Sequence, residues 1–177
     1  MNNRREIQED HEIYLVDCFI NWWEEKTGEK FKVISRPHPH PPEAIVQSNS
    51  RTTWLEVTDT FFSNEFAKDL YSYATPEEKH MPMASGPFEN MDEKTAIRFV
   101  NIIKKKLSKS SYETAFTKYG QGYLLVGMQS PWFDDHTCEL MAKHCRNEDW
   151  SQDRGFFQKI FISFRSLNRQ VFEEWKF

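Results

Sequence analysis

Three glutamates and a run of lysines are the groups in this chain whose types and spacing could do chemistry: Glu12, Glu43, Glu56, and Lys104 and Lys106 of the KKK run. Glu56 lies in TTWLEVT, a strand-like stretch in which alternate side chains share a face, so Trp54, Glu56 and Thr58 point one way and Leu55 and Val57 the other. If both faces are covered, the Glu56 carboxylate is partly buried, and a buried carboxylate is costly unless paired, hydrogen-bonded or bound to a cation. Glu43 follows Pro41 and Pro42 and opens EAIVQ, and the polar turn SNSR folds that run back beside TTWLEVT as a β-hairpin. The two carboxylates can therefore converge.

A helix read from about Arg5 to Lys26 adds a third acid. Its apolar residues Ile13, Val16, Phe19, Ile20 and Trp23 form a stripe into which Glu12 falls, with Glu9 at the edge. On a later helix, DEKTAIRFVNIIKKKLSK, Lys104 and Lys106 flank the stripe of Ala96, Phe99, Val100, Ile103 and Leu107, whereas Lys105 points away. Three acids and one or two lysines are thus expected at one end of a sheet. Such a set suits a divalent cation: Mg²⁺ takes carboxylate oxygens, waters and substrate phosphate, and a nearby lysine stabilises negative charge that develops during reaction. Without metal, clustered acids repel and one of them should have a raised pKa.

Each group also has a structural explanation. Glu56 could pair with Arg51 or Lys106, Glu43 could be solvated at a strand start, a small change of helix phase would turn Glu12 outward, and a lysine run is often a solvated face. His38 and His40 in RPHPHPP are a candidate zinc pair, but no spacing supplies the remaining ligands, which favours a rigid connector leading into Glu43. Trp22, Trp23, Trp54, Trp132, Phe156 and Phe157 read mostly as core, with base stacking the alternative for an exposed Trp132.

The elements that must position these groups follow from periodicity and punctuation. After the first helix, stopped by Gly28, come a short strand FKVIS, the hairpin, and an irregular stretch over 63–91 with a short helix around Glu65 to Tyr73. Asp92 is the expected N-cap of the second long helix. YGQGYLLVGMQ reads as a buried strand, followed by a helix from about Asp135 to Arg146 and a strand KIFISF. The order α-β-β-β-α-β-α-β predicts one α/β domain over 1–177, with a mixed central sheet of about four to five strands flanked by helices.

The series of a Glu-bearing helix, P-P-E-A-I-V, a hairpin, W-L-E-V-T, and a Lys-bearing helix followed by L-L-V-G resembles the PD-(D/E)XK nuclease-like superfamily over roughly Glu9 to Gly127. The resemblance implies a restriction-endonuclease-like α-β-β-β-α-β core that hydrolyses phosphodiesters in DNA or RNA with Mg²⁺ or Mn²⁺. It assigns Glu43 to the acid after proline, Glu56 to the (D/E), Glu12 to the helix glutamate that serves as a further ligand, and Thr58 to the lysine position. Some members carry the lysine on the following helix, which here points to Lys106, with Lys104 second to it. The departures, Glu for Asp at position 43 and Thr for Lys at position 58, leave a second reading: an inactive domain of this fold that binds protein or nucleic acid.

Composition narrows the classes. Phe, Trp and Tyr make up 15% of the chain, enough for a sizeable core. A net charge of −4 advertises no global basic field toward nucleic acid or an anionic membrane, so contact with DNA or RNA would rest on a local patch. Neither the polar start MNNRREIQED nor any later run offers a signal-peptide core or a span of apolar residues, so no membrane partner and a cytoplasmic location are expected. Cys18, Cys138 and Cys145 read as reduced thiols, and the oligomeric state is open, a homodimer included.

Overall fold

The computed structural model describes residues 4–37, 41–75, 78–85, 88–166 and 169–176. Its elements are α1 (Arg4–Thr27), β1 (Lys32–Ser35), β2 (Ala44–Gln47), β3 (Thr52–Phe61), α2 (Asn64–Ala74), α3 (Met91–Leu107), a 3₁₀ turn (Ser110–Tyr112), α4 (Glu113–Tyr119), β4 (Gly122–Gln129), α5 (Asp135–Arg146), β5 (Phe157–Ser166) and β6 (Arg169–Trp175). The strands form one mixed sheet in the order β1-β2-β3-β4-β5-β6. The first three are an antiparallel meander, β4 lies parallel to both β3 and β5, and β6 returns antiparallel along β5. The sheet therefore carries six strands among the described residues, where four to five were expected.

Sequence periodicity explains which faces are covered. Leu15, Val16, Phe19, Ile20 and Trp23 of α1 pack on Val46, Leu55, Val57, Tyr123, Leu125 and Phe161. On the opposite face, α3 and α5 bring Phe99, Val100, Ile103 and Met141 onto Leu124, Val126, Ile160 and Ile162. Strand β4 is buried on both sides, which is why it reads as a continuous apolar run. Each large side chain buried in these layers contributes about 1.5–3 kcal/mol. A smaller cluster of Ile45, Trp54, Tyr112, Ala115 and Phe156 sits beneath the 3₁₀ turn and α4.

Local signals account for the ends. Gly28 adopts φ 73° and donates its N–H to the Glu24 carbonyl at 2.9 Å, closing α1. Asp134 caps α5, accepting from the Thr137 N–H at 2.9 Å. Two expectations are corrected here. Helix α3 starts at Met91 behind Asn90, and Asp92 accepts instead from the Thr137 hydroxyl at 2.7 Å, tying α3 to α5. Ile13 is 39% exposed, so the buried stripe of α1 begins at Leu15. No helix among the described residues is long and apolar enough to cross a membrane, and all three cysteines are free thiols.

Candidate active site

The hairpin register sets the first two acids. Ala44 pairs with Leu55, and continuing one residue back brings Glu43 level with Glu56. Strand alternation turns Glu56 to the α3 side, where it is only 1% exposed. Its Oε1 accepts from the Lys106 Nζ at 2.6 Å and from the Tyr112 hydroxyl at 2.8 Å. Lys106 can reach because Ile103 and Leu107 anchor the last turns of α3 in the core, and its Nζ donates also to the Val57 carbonyl at 3.3 Å. Of the two bases considered for Glu56, Lys106 is the partner; Arg51 pairs with Glu29 at 2.8 Å. The other carboxylate oxygen of Glu56, Oε2, is buried with no hydrogen-bond partner among the described residues.

The remaining acids stand at the mouth of the same cleft. The Glu43 and Glu12 carboxyls stand close enough to share a proton, and Gln8 donates to Glu12 at 3.0 Å. Burial, aided by the charges of Glu12 and Glu56, pushes Glu43 up to about 8, and burial likewise raises Glu12. A proton shared between them offsets a repulsion that a cation would otherwise relieve. Burial and the Glu56 charge also hold the Tyr112 hydroxyl protonated, as a donor. Glu12, Glu43, Glu56, Thr58, Asp59 and Lys106 all line this cleft of about 500 Å³.

Lys104 does not join them. Its Nζ turns to Glu148, just beyond the end of α5, at 2.5 Å. Thr58 lies two residues beyond Glu56 on β3, half-buried, with a hydroxyl where the resembling motif carries an amine. Among the described residues, no group of three or more His, Cys, Asp or Glu stands in metal-holding geometry. The acids are close, but one oxygen of Glu56 is taken by Lys106 and Tyr112, and Glu12 and Glu43 are turned toward each other. His38 and His40, the zinc candidates, lie outside the described residues.

No family model, no curated protein and no solved structure matches the chain. The chemistry of the cleft is therefore the ground for a functional reading.

Two features of the site escaped the sequence. Tyr112 lies in the 3₁₀ turn, within a stretch that carries no strong periodic signal, and stacks on Trp54 with ring centroids 5.5 Å apart. Asp59, on the α1 side of β3, accepts from Gln129 of β4 at 3.0 Å and lies 3.1 Å from the His11 Nε2 of α1. The signal was present in part: by strand alternation Asp59 continues the face of Leu55 and Val57, where a charge is out of place. The bond to Asp59, with the charges of Asp59 and Glu12, raises the His11 pKa despite burial.

Trp132, 44% exposed, packs on Phe62 and Phe88 with centroids 5.4 Å away in each case, so it belongs to an aromatic patch of its own.

Proposed function

We propose that this chain is a metal-dependent nuclease of the PD-(D/E)XK-like kind, hydrolysing phosphodiester bonds in DNA or RNA. In this reading α1, β1, β2, β3, α3 and β4 supply a restriction-endonuclease-like α-β-β-β-α-β core. The observation that carries it is the Lys106 Nζ, 2.6 Å from Glu56 Oε1: an amine delivered from the following helix to the acid whose own strand has Thr58 in place of lysine. Glu43, Glu56 and Glu12 would hold Mg²⁺ or Mn²⁺. The fit rests on the buried Oε2 of Glu56, which has no partner among the described residues, and on two further carboxylates held so close that one is protonated near neutral pH, all hard oxygen donors.

The ion, when bound, polarises a phosphate and lowers the pKa of a water. Lys106 places a fixed positive charge where the scissile phosphate gains negative charge. Tyr112 keeps Glu56 oriented, and the Thr58 hydroxyl faces the same cleft. The protein would act in the cytoplasm, as a monomer or homodimer. The test is incubation with single- and double-stranded DNA and RNA in Mg²⁺ or Mn²⁺. Cleavage abolished by Glu43→Gln and Lys106→Met is expected; no cleavage of any substrate above those variants overturns the enzyme reading.

A second reading has its own support. Glu56 Oε1 is already saturated by Lys106 and Tyr112, and Thr58 lacks an amine, as in a domain that has kept this fold for binding protein or nucleic acid. Retained affinity for an oligonucleotide, with no cleavage and no Mn²⁺-dependent rise in melting temperature, would select it.

A further inference from the structure

The first turns of α1 present a mechanical problem. No residue from Arg5 to Tyr14 is buried; the apolar anchor of the helix begins at Leu15, and Glu12 stands ahead of it. It faces Glu43 across the mouth of the cleft. His11, the neighbouring residue, ties this part of the helix to β3 through Asp59, and through Asp59 to β4. Its Nε2 lies 3.1 Å from Asp59 Oδ1 on β3, and Gln129 on β4 donates to that same oxygen at 3.0 Å while lying 3.2 Å from the His11 ring. The Asp59 carboxylate is seated over Gly127, where a Cβ would come within 2.2 Å of Oδ1.

We infer that His11, held by an Asp59 carboxylate that Gln129 braces, is a positioning residue that sets Glu12 at the mouth of the cleft, and that Gly127 is kept bare to seat the clamp. The inference rests on Glu12 being a metal ligand as proposed above. Hydrogen bonds behind a ligand fix its orientation, and their loss typically weakens metal binding about 10- to 100-fold.

The test compares His11→Ala, His11→Gln and Gly127→Ala in the full chain by two readouts: amide hydrogen exchange over residues 5–13 without metal, and the Mn²⁺ dissociation constant by calorimetry. In His11→Ala, exchange over that stretch should accelerate and Mn²⁺ affinity fall about tenfold or more, with the global unfolding midpoint little changed. His11→Gln carries a donor where Nε2 stood and should restore both. Gly127→Ala, which pushes the Asp59 carboxylate aside with His11 intact, should follow His11→Ala. Unchanged exchange in His11→Ala, or a His11→Gln no better than His11→Ala, overturns the inference. Should the unaltered protein bind no Mn²⁺, the metal reading fails while the exchange data still decide whether His11 holds the helix.

Discussion

The Lys106 ammonium and the Glu56 carboxylate form an ion pair at 2.6 Å in which Glu56 is almost wholly shut from solvent. Breaking such a pair by removing one partner leaves a buried charge uncompensated, which typically costs about 3–5 kcal/mol. Lys106→Met should therefore lose roughly that much stability in urea denaturation. Adding Glu56→Gln should recover most of it, since both charges are then gone, while cleavage stays abolished. Recovery of stability without recovery of activity separates the chemical role of the pair from its structural one.

Tyr112 tests the second bond to Glu56. Tyr112→Phe keeps the ring against Trp54 and Phe157 but removes the donor held 2.8 Å from Oε1. A loss of about 1–3 kcal/mol is expected by chemical denaturation, the cost of an unmade buried hydrogen bond. No loss would mean that Lys106 alone satisfies that oxygen.

The acid pair at the mouth gives a pH dependence of definite sign. Glu43 binds its proton up to about 8 in the folded state, well above the ordinary value of 4.5. Between those two values the folded chain holds more protons than the unfolded one, so this contribution is fully present below about 4.5 and is lost as pH rises through about 8. His11, raised by Asp59, acts in the same direction. The melting temperature without metal should fall over that window, and Mn²⁺ should remove much of the decline by replacing the proton. A metal-free melting temperature that rises from pH 5 to 8 counts against the pairing.

Glu43→Gln separates stability from function at one atom. It ends the repulsion with Glu12 and Glu56, so the variant should melt above the unaltered protein at pH 8 without metal, and should lose the Mn²⁺-induced rise. Differential scanning fluorimetry with and without Mn²⁺ reads both effects.

Gly122 is a packing test beneath Trp54, the ring on which Tyr112 stacks. A Cβ there would lie 2.3 Å from the Trp54 ring, which is fixed by its indole N–H donating to the Gly120 carbonyl at 2.8 Å. Because the ring cannot swing away, Gly122→Ala should cost about 1–3 kcal/mol through overpacking, measured by thermal or urea unfolding.

Much of the fold was legible where local chemistry and pattern agree. Helix α5 runs from Asp135 to Arg146 behind an aspartate cap, and the hairpin of β2 and β3 follows from two apolar runs around SNSR. Strand β6 carries no clear sequence signal, because RQVFEEW buries only Phe172 fully and owes its strand form to pairing with β5. The stretch over 110–119 gave no period because Tyr112 and Ala115 alone are buried there.

The alternation of TTWLEVT put Glu56 on the face opposite Leu55 and Val57, and the 3.6-residue period of the two long helices placed Glu12 and Lys106 toward the sheet. Those are local properties, fixed by backbone geometry within one element. Which lysine would reach Glu56 was not. Lys104 and Lys106 flank the same stripe, and only the seating of α3 between β3 and α5 sends one to Glu56 and the other to Glu148. The clamp of His11, Asp59 and Gln129 spans 118 positions of sequence. Its members meet because β3 and β4 pair in parallel under α1, an arrangement that long-range packing decides and no local periodicity encodes.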